Sequence, residues 1–590
     1  MNRYMENLKK VKVLLLFIMS VTWASHLIYT DSYFSVYALC SALAVFCLCD
    51  NDRSNRRMQG IPMVLNLTLA SLLSLAVTLS NYPVFQRLRN MEEISAGTNA
   101  ILNLLEAGLT FFGGIVVFYQ IFLWLASRFP EACDTEKNAF SGKHPGRVFA
   151  GVFACLSLIY LTYLFFVVYP GNVTSDSIWQ ISMIVNDNYT NHHPYWHTVT
   201  IGLLMSIGQF LFGDANAAAA TYCVFQSLMM AACFACAVVT LYQYRVSRFW
   251  VLLTFATFAL LPHHITYSCT MWKDVPFGAA VLILVIAMFR IMRQVGKHKA
   301  FNYILFAIGG IGTGIMRSNG LAAMVAAFLI LALFFRKRCR QLLLPWLAAI
   351  VIGWAMTGPV LDMLDVSSVN FIEGLSVPLQ QVARVITNGG ELTDEETELI
   401  SRIMDIEQIP EEYTQHCVDP IKDLAGYSDR VYLEDHKGEY ARLWFDIGLR
   451  YPWEYVEAWV EETKGYWNGG YEYYIYAQYV SENDFGIYMV EQDNLIHDLM
   501  KAYFTLTRET VFFEPIQSVG MNIWVLSMLC FLNMIKGRRE FLLTMPVLAV
   551  VFTLWLTTPV FCEYRYAYCV FTTLPFLLPV SLTSHEGEAL

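Results

Sequence analysis

The sequence predicts an all-α polytopic membrane protein, and three observations support this fold class. Of the 590 residues, 56% are hydrophobic and only 15% are charged, which leaves too little polar surface for a soluble chain of this length. The apolar runs are about 20 residues long, the length that a helix needs to cross a hydrocarbon layer of ~30 Å. Clusters of Arg and Lys recur between these runs, as expected for cytoplasmic loops.

A topology with fourteen transmembrane helices and both termini in the cytoplasm places these basic clusters on one side. The first helix is predicted to be retained, because its run ends without a small-residue cleavage site. The run at 198–213 is interpreted as an interfacial or re-entrant helix, since a full crossing would move Arg245 and Arg248 outside. The predicted spans are 11–30, 33–50, 61–81, 99–126, 148–169, 217–242, 250–267, 275–293, 302–317, 320–335, 342–360, 517–535, 541–560 and 566–582.

Four segments follow from this topology. Residues 1–146 hold four extra N-terminal transmembrane helices, and 147–360 form a transmembrane core with an external loop at 170–216. Residues 361–515 form an external α-rich or α/β domain, and 516–590 hold three C-terminal transmembrane helices. The external domain has 31 acidic and 10 basic residues, so its surface does not favour nucleic acid, whose phosphates bind basic surfaces.

The aromatic residues and cysteines allow two further interpretations. The tract at 466–479 is typical of a surface that faces a sugar or a lipid headgroup, and an aromatic belt resting on lipid is the alternative. The external domain has a single cysteine, Cys417, which argues against a disulfide framework. Cys233 and Cys236 have the C-x-x-C spacing but lie within an apolar helix, where packing is the simpler role.

Five basic residues break the positive-inside pattern because they fall in short external loops: Arg87, Arg89, Lys273, Arg317 and Arg565. The last three lie where the chain leaves the membrane, and each has polar neighbours. These neighbours are Asp274, Asn319, Glu563 and Tyr566. A cation retained on the unfavoured side indicates a functional site.

The first core external loop carries an acidic residue, Asp176, just outside the first core helix. A free aspartate has a pKa of ~3.9, so this carboxylate is ionised, and partial burial would increase its basicity. An alternative interpretation is that Asp176 caps a helix that starts at Ser177. The same loop continues into the sequence Asn191-His192-His193-Pro194-Tyr195-Trp196-His197.

Residues 147–335 and the end of the chain around Arg565 resemble the GT-C superfamily of integral-membrane glycosyltransferases, which use polyprenyl-phosphate sugars. The resemblance is closest to the bacterial branch related to protein mannosyltransferases and lipid A aminoarabinose transferases, and to an uncharacterised bacterial membrane family within it. Four features carry it: Asp176 outside the first core helix, His193-Pro194 before a helix ending in Leu-Phe-Gly-Asp, a following helix closed by basic residues, and external Lys-Asp and Arg positions.

The sequence departs from that family in three respects. It has His193-Pro194-Tyr195 where His-Pro-Pro is common, it has four extra N-terminal spans, and its external domain precedes the last three helices. These departures affect the expected identity of the acceptor more than the expected type of reaction.

The resemblance implies transfer of a sugar from a polyprenyl-phosphate donor to a lipid, polysaccharide or protein acceptor on the external face of the cell membrane. Asp176 is then the catalytic base, and Arg317, Arg565 and Lys273 bind the donor phosphate. Supporting roles fall to His193, His197, Asp274, Asn319, Glu563 and Tyr566. These loops are expected to meet in one pocket at the non-cytoplasmic surface.

Each of these roles has a simpler alternative. Lys273 and Asp274 can form a salt pair, Glu563 can pair with Arg565, and Arg317 can extend to the interface. His193 and His197, four residues apart, would share a helix face and suggest a metal, in particular a divalent cation between Asp176, His193 and the donor phosphate. His263 and His264 follow Pro262 near the same surface and are weaker candidates for the cleft.

Two other function classes compete with the transferase. One is a multi-pass transporter or lipid flippase, which predicts broken helices or charges near the bilayer midplane. The other is a non-catalytic scaffold whose external domain binds glycan. The sequence has neither a Walker-type phosphate loop nor a Rossmann fingerprint, so a cytoplasmic nucleotide-sugar donor is disfavoured.

Overall fold

The computed structural model describes residues 60–80, 98–128, 139–296, 298–471, 479–510 and 513–583, together with residues 40, 43 and 44. The predicted span 11–30, nearly all of 33–50, both termini, Arg87 and Arg89 lie outside this part of the chain. The secondary structure of the described residues consists of helices, with isolated bridges in place of strands. The all-α fold class is therefore confirmed for these residues.

The first part of the described chain is a succession of helices, which we number in chain order. They are α1 (Ile61–Ser80), α2 (Thr98–Arg128), α3 (Pro145–Phe166), α4 (Ser175–Val185), α5 (Tyr195–Phe212), α6 (Ala215–Gln243), α7 (Arg248–Leu260), α8 (Pro262–Ser268), α9 (Asp274–Met292), α10 (Lys299–Ile315), α11 (Ser318–Phe334), α12 (Arg336–Thr357) and α13 (Pro359–Met363).

The 361–515 segment and the end of the chain are also helical. Their elements are the 3-10 helix Phe371–Leu375, α14 (Ser376–Thr387), α15 (Asp394–Ser401), α16 (Ile409–Glu412), α17 (Asp419–Asp423), α18 (Tyr427–Asp435), α19 (Lys437–Arg450), α20 (Pro452–Thr463), the 3-10 helix Lys464–Tyr466, α21 (Leu495–Glu509), α22 (Glu514–Gln517), α23 (Val519–Ile535), the 3-10 helix Arg539–Thr544, α24 (Met545–Thr557), the 3-10 helix Tyr564–Ala567 and α25 (Tyr568–Leu582).

Seven helical stretches among the described residues are long and apolar enough to cross a bilayer, which identifies a membrane protein. Helices α7 and α8, bent by 55° at their junction, make an eighth if they form one span. The predicted spans 302–317, 320–335, 517–535 and 566–582 correspond to helices of at most 17 residues. The total of fourteen spans therefore stays a prediction. The seven stretches are Ile61–Ser80, Ala107–Arg128, Pro145–Phe166, Ala215–Gln243, Asp274–Met292, Cys339–Met363 and Arg539–Thr557.

Helix α9 lies at the centre of the membrane body and is almost entirely buried along its length. It packs closely on α10 because Gly309 has no side chain: a Cβ atom at this position would lie 2.3 Å from the backbone nitrogen of Leu284. Close helix approach through small residues is the usual way in which membrane helices associate. This contact sets the separation of α9 and α10, and the first residue of α9, Asp274, belongs to the candidate site.

Helix α5 contains the run that was predicted to be interfacial. It is not among the stretches that qualify as candidate spans, and it packs through Gly208 against Ala218 of α6. Its far end carries the exposed residues Phe210, Leu211 and Phe212. The interpretation of this run as an interfacial or re-entrant helix stays a prediction.

The 361–515 segment has an apolar core of its own, formed by residues that include Ile372, Val385 and Ile447. The described part of this segment is helical, so the α-rich form of the predicted domain is the one observed. Two main-chain hydrogen bonds join the segment to the connection after α24. The amide of Val418 donates to the carbonyl of Pro559 at 3.0 Å, and the amide of Phe561 donates to the carbonyl of His416 at 2.8 Å.

Replacing Gly309 by alanine is expected to destabilise the membrane body. The added methyl group meets backbone atoms of Leu284, which cannot rotate away, and overpacking of this kind costs about 1–3 kcal/mol. A lowered melting temperature of the purified protein in mild detergent would show this effect. The matched control is Gly151→Ala on α3, where nothing lies within 4 Å of the new atom. Equal melting temperatures for the two variants would contradict the packing argument.

Candidate functional site

Two loops that are far apart in the sequence pair beside the start of α4. The amide of Asn172 donates to the carbonyl of Cys269 at 2.9 Å, and the amide of Met271 donates to the carbonyl of Asn172 at 2.9 Å. The first loop leads directly to Asp176 and the second to Lys273. This short ladder therefore brings the candidate base and one candidate cation to the same place.

Helix α4 begins in a way that leaves the carboxylate of Asp176 available. Thr174 occupies the N-cap position, and its backbone amide donates to the hydroxyl of Ser177 at 3.2 Å. The Thr174 hydroxyl also accepts a hydrogen bond from the indole nitrogen of Trp272 at 2.6 Å. Asp176 lies within the first turn, so the interpretation of Asp176 as the helix cap is wrong.

The carboxylate of Asp176 forms an ion pair with Arg565. The distance from Nη1 of Arg565 to Oδ2 of Asp176 is 2.6 Å, and the side chains are 16% and 25% exposed, respectively. Arg565 lies in the 3-10 helix before α25, with its Nε atom 3.7 Å from Oε1 of Glu563. Its guanidinium carbon lies 5.0 Å from the centre of the Trp272 ring. The predicted pairing of Glu563 with Arg565 is confirmed.

The charges around Asp176 determine its protonation. Burial by itself raises the pKa of Asp176, but the positive charges of Arg565 and Lys273 outweigh burial and hold this pKa well below its usual range. The carboxylate is therefore ionised at neutral pH. It is also a poor proton acceptor while Arg565 remains bound to it.

Lys273 makes its close polar contact with a histidine. Its Nζ atom lies 3.0 Å from Nδ1 of His193, so the ammonium donates to a neutral imidazole. Burial and the charge of Lys273 lower the pKa of His193 to about 2, which keeps the ring neutral. Burial lowers the pKa of Lys273, while the negative charges of Asp176 and Asp274 oppose this shift.

His193 and His197 do not share a helix face. Helix α5 begins at Tyr195 after Pro194, so His193 belongs to the preceding loop and only His197 is helical. Nε2 of His197 lies 2.7 Å from the Tyr222 hydroxyl, which ties α5 to α6. The expectation that the two histidines form a helical metal motif is wrong, because Pro194 ends the loop between them. Among the described residues, no group of three His, Cys, Asp or Glu side chains is placed to hold a metal ion.

Arg317 forms a second, more deeply buried ion pair with Asp274. The distance from Nη1 of Arg317 to Oδ1 of Asp274 is 2.7 Å, and Asp274 is completely buried. The predicted salt pair between Lys273 and Asp274 is thus replaced by the pair of Asp274 with Arg317. Arg317 turns inward to this carboxylate, which argues against the interpretation that it extends to the membrane interface.

Tyr566 connects the two ion pairs. The guanidinium carbon of Arg317 lies 4.6 Å from the centre of the Tyr566 ring, and that of Arg565 lies 5.1 Å from it. Asn319 is less central, because its side-chain amide donates to the hydroxyl of Thr553 on α24 at 2.8 Å. Asn319 therefore supports helix packing and is not part of the charged cluster.

A cavity of about 290 Å³ with both polar and apolar side chains in its wall adjoins this cluster, and we call it the polar cavity to distinguish it from the apolar one described below. Its walls include Arg317, Asn191, Asp362 and Ser368. Asp176, Lys273 and Arg565 are not part of the lining of this cavity, so the expected single pocket around all four charged residues stays a prediction. Arg317 belongs both to the ion-paired cluster and to the wall of this cavity.

Several residues of the site escaped the sequence reasoning. Trp272 is one of them, although an aromatic residue next to a cation at a membrane exit is a usable signal. His192 stacks on Trp179 with ring centres 4.7 Å apart, and its Nδ1 atom lies 4.0 Å from Oε1 of Glu373. No sequence signal links Glu373 to this loop, because the contact depends on the fold.

His263 and His264 lie behind the site and do not line it. Both are buried, and the ring of His263 lies 5.2 Å from that of Phe571 on α25. Nδ1 of His264 lies 3.1 Å from the Tyr568 hydroxyl. They form part of the packing between α8 and α25.

Comparison with known proteins places this site within a family. The model of DUF6020, a family of unknown function, matches residues 185–588, so the chain belongs to this family. No curated protein and no solved structure matches the chain. The matched region includes Lys273, Arg317 and Arg565, whereas Asp176 precedes it.

The ion pair of Asp176 with Arg565 is expected to couple two distant parts of the chain energetically. In a double-mutant cycle of Asp176→Asn and Arg565→Gln, the coupling should be about 1–3 kcal/mol, because removing either partner leaves the other charge partly buried. The cycle is measured from unfolding of the purified protein in mild detergent. The control cycle uses the exposed pair Glu398 and Arg402, joined at 2.7 Å. Coupling no larger than in this control would show that the buried contact does not form.

Proposed function

We propose that the protein is a membrane glycosyltransferase, which moves a sugar from a polyprenyl-phosphate donor to a cell-envelope acceptor on the external face of the membrane. The observation that carries this proposal is the 2.6 Å contact between Asp176 and Arg565, with Lys273 beside it. Glycosyl transfer needs a base for the acceptor proton and cations for the departing phosphate. A carboxylate among cations supplies both.

The ion pair suggests how the base is activated. Without donor, Arg565 keeps the basicity of Asp176 low. The donor phosphate is a diester with one negative charge and two free oxygens, so it offers Arg565 a bidentate partner, and the guanidinium moves from the carboxylate to this phosphate. The pKa of Asp176 then rises toward the range that suits a general base. Asp176 therefore becomes an effective base when the donor binds and stays a weak base without it.

The transfer step follows from this arrangement. Asp176 takes the proton from a hydroxyl of the acceptor as the oxygen attacks the anomeric carbon of the sugar. The bond between that carbon and the phosphate oxygen breaks, and its electron pair remains on polyprenyl phosphate, the leaving group. Arg565 and Lys273 stabilise the charge that develops on this phosphate. The contact with neutral His193 orients the ammonium of Lys273 without competing for its charge.

Arg317 has a different role in this proposal. Its partner Asp274 is completely buried, whereas the pair of Arg565 with Asp176 is partly exposed, so Arg317 is less able than Arg565 to exchange its partner for a phosphate. Its position in the wall of the polar cavity, near Asn191 and Ser368, suits hydrogen bonding to a sugar. The cavity of about 290 Å³ then holds part of the sugar beside the reacting groups. Arg317 remains a candidate donor-binding residue in this sense.

One structural observation favours a second candidate function. The 55° bend between α7 and α8 is a broken-helix element of the type that lipid flippases and transporters use. The two functions differ in their products, because a flippase moves a lipid intact and a transferase leaves polyprenyl phosphate behind. Release of the sugar from the labelled donor therefore distinguishes them. A non-catalytic glycan-binding scaffold would produce neither change.

Replacing Asp176 by asparagine is expected to lower sugar transfer by about 10²–10⁴-fold, because the general base is lost while the shape of the side chain is kept. The measurement uses purified protein in liposomes with a labelled polyprenyl-phosphate sugar. Asp187→Asn, at an exposed position just after α4, is the matched control and should keep its activity. Full activity of the Asp176 variant, with an unchanged elution profile, would refute the assignment of the base.

The role of metal can be tested separately. Asp176 and His193 were proposed as ligands of a divalent cation, and the mechanism above uses Arg565 and Lys273 instead. Purified protein treated with a chelator is therefore expected to keep its transfer rate, because protein cations neutralise the phosphate. A rate that falls after chelation and returns with added Mg²⁺ or Mn²⁺ would support the metal-bridged alternative.

A further inference from the structure

We infer that the 361–515 segment binds the hydrocarbon chain of a lipid in an apolar cavity, and that this lipid is the sugar acceptor. The acceptor role rests on the proposed function, whereas the binding site stands independently of it. The cavity has a volume of about 230 Å³ and lies within the helical core of the segment. Nothing in the mechanism above uses it.

The lining of the cavity determines what it can hold. Its walls are almost entirely aliphatic and aromatic side chains, among them Leu379, Val382, Met404 and Leu443. Protein interiors are usually close-packed, with few voids larger than a water molecule. Apolar cavities of this size do not hold ordered water and bind apolar molecules. A hydrocarbon chain matches both the volume and the chemistry.

The mouth of the cavity lies on α19. Ala441 and Trp444 line the cavity and are also exposed, so they mark its opening. Lys437, one turn earlier on the same helix, places its ammonium 4.8 Å from the centre of the Phe371 ring at this opening. Lys437 also forms an exposed ion pair with Glu434 at 3.3 Å, so a negatively charged headgroup at this rim would have to exchange with that carboxylate.

An exposed apolar stripe extends from this opening along α19. Ala441, Phe445 and Leu449 are spaced by four residues and so lie on one face of α19. Phe445 and Leu449 are 56% and 66% exposed. Trp453, at the start of α20, continues the stripe and is 61% exposed.

Helix α20 contacts a membrane helix. Val460, two turns beyond Trp453, is buried and packs with Ala76 in the last part of the candidate span α1. Exposed apolar residues grouped on one helix face, as on α19, mark contact with lipid or with a partner. Because the cavity opens beside this exposed face and α20 packs on a candidate span, we assign the face to a lipid chain that enters from the bilayer.

One wall of the cavity also contacts the candidate site. Phe371 and Leu375, at the two ends of a 3-10 helix, line the cavity, and Glu373 between them lies 4.0 Å from His192. His192 directly precedes His193, which orients Lys273. A lipid held in the cavity thus lies one short helix away from the charged cluster. This proximity is the reason to assign the lipid as acceptor.

The test uses the full chain in lipid nanodiscs with a photoreactive, diazirine-bearing fatty acid, followed by mass spectrometry of the labelled peptides. Ala441→Trp fills the opening from an exposed position, and Arg442→Trp adds the same bulk at the neighbouring, highly exposed position. We expect labelling of peptides around Val382 and Met404 in the wild type and in the Arg442 variant. This labelling should fall at least tenfold in the Ala441 variant. Equal labelling in both variants, or labelling confined to the membrane helices, would overturn the inference.

A second arm separates the two sources of hydrocarbon. A photoreactive isoprenoid probe that labels the cavity peptides in place of the fatty acid would overturn the acceptor assignment and indicate the donor chain instead. The transfer assay separates the cavity from the chemistry. Ala441→Trp should slow transfer to a lipid acceptor and leave donor hydrolysis by water unchanged, whereas Asp176→Asn should lose transfer and keep the cavity labelling. Cavity labelling in a wild-type protein that transfers no sugar would refute the proposed function and retain the binding site.

Discussion

The ion pair of Asp176 with Arg565 is the contact on which the arrangement of the candidate site depends. Its two members are 389 residues apart, one at the start of α4 and the other in the 3-10 helix before α25. Neither loop has a large apolar core of its own. A partly buried carboxylate and guanidinium are costly unless they meet, so their pairing selects one relative position of the two loops. Trp272 and Tyr566 shield the pair and strengthen it by lowering local access of water.

The ion pair of Asp274 with Arg317 is more deeply buried than that of Asp176 with Arg565. Asp274 is wholly buried at the start of α9, and its main compensation is the guanidinium of Arg317. A buried pair of this kind contributes little net stability, but loss of one partner leaves an uncompensated charge. It therefore acts mainly as a constraint that keeps α9 and the start of α11 in register. The outer pair, which is partly exposed, is better placed to exchange its partner for a ligand.

The sequence alone predicted the helical membrane class and part of the site. Long apolar runs indicated the helices, the bias of charge between loops singled out Lys273, Arg317 and Arg565, and the family resemblance added Asp176. The partners within the cluster could not be predicted, because Asp274 is adjacent to Lys273 in sequence but faces Arg317 in space. Pro194 is visible in the sequence. The helical spacing of His193 and His197 was nevertheless extended across this proline, so His193 was wrongly placed on the helix.

Other features depend on tertiary packing and have no sequence signal. The polar cavity takes its walls from residues as distant as Asn191 and Ser368, and the apolar cavity takes its walls from several short helices. A cavity is the space that the surrounding side chains leave unfilled. No local sequence pattern predicts where such a space occurs. Helix length is similarly ambiguous: a run such as 302–317 is apolar enough to be counted as a span, but its helix has only 17 residues.

The main-chain hydrogen bonds of Val418 and His416 to Pro559 and Phe561 have a mechanical consequence. They hold the backbone that directly precedes Arg565 against the helical segment. The location of this guanidinium is therefore set from two directions, by the membrane helices on one side and by the segment on the other. A substitution that weakens the attachment of the segment would act on the contact between the two opposite charges without touching either of them.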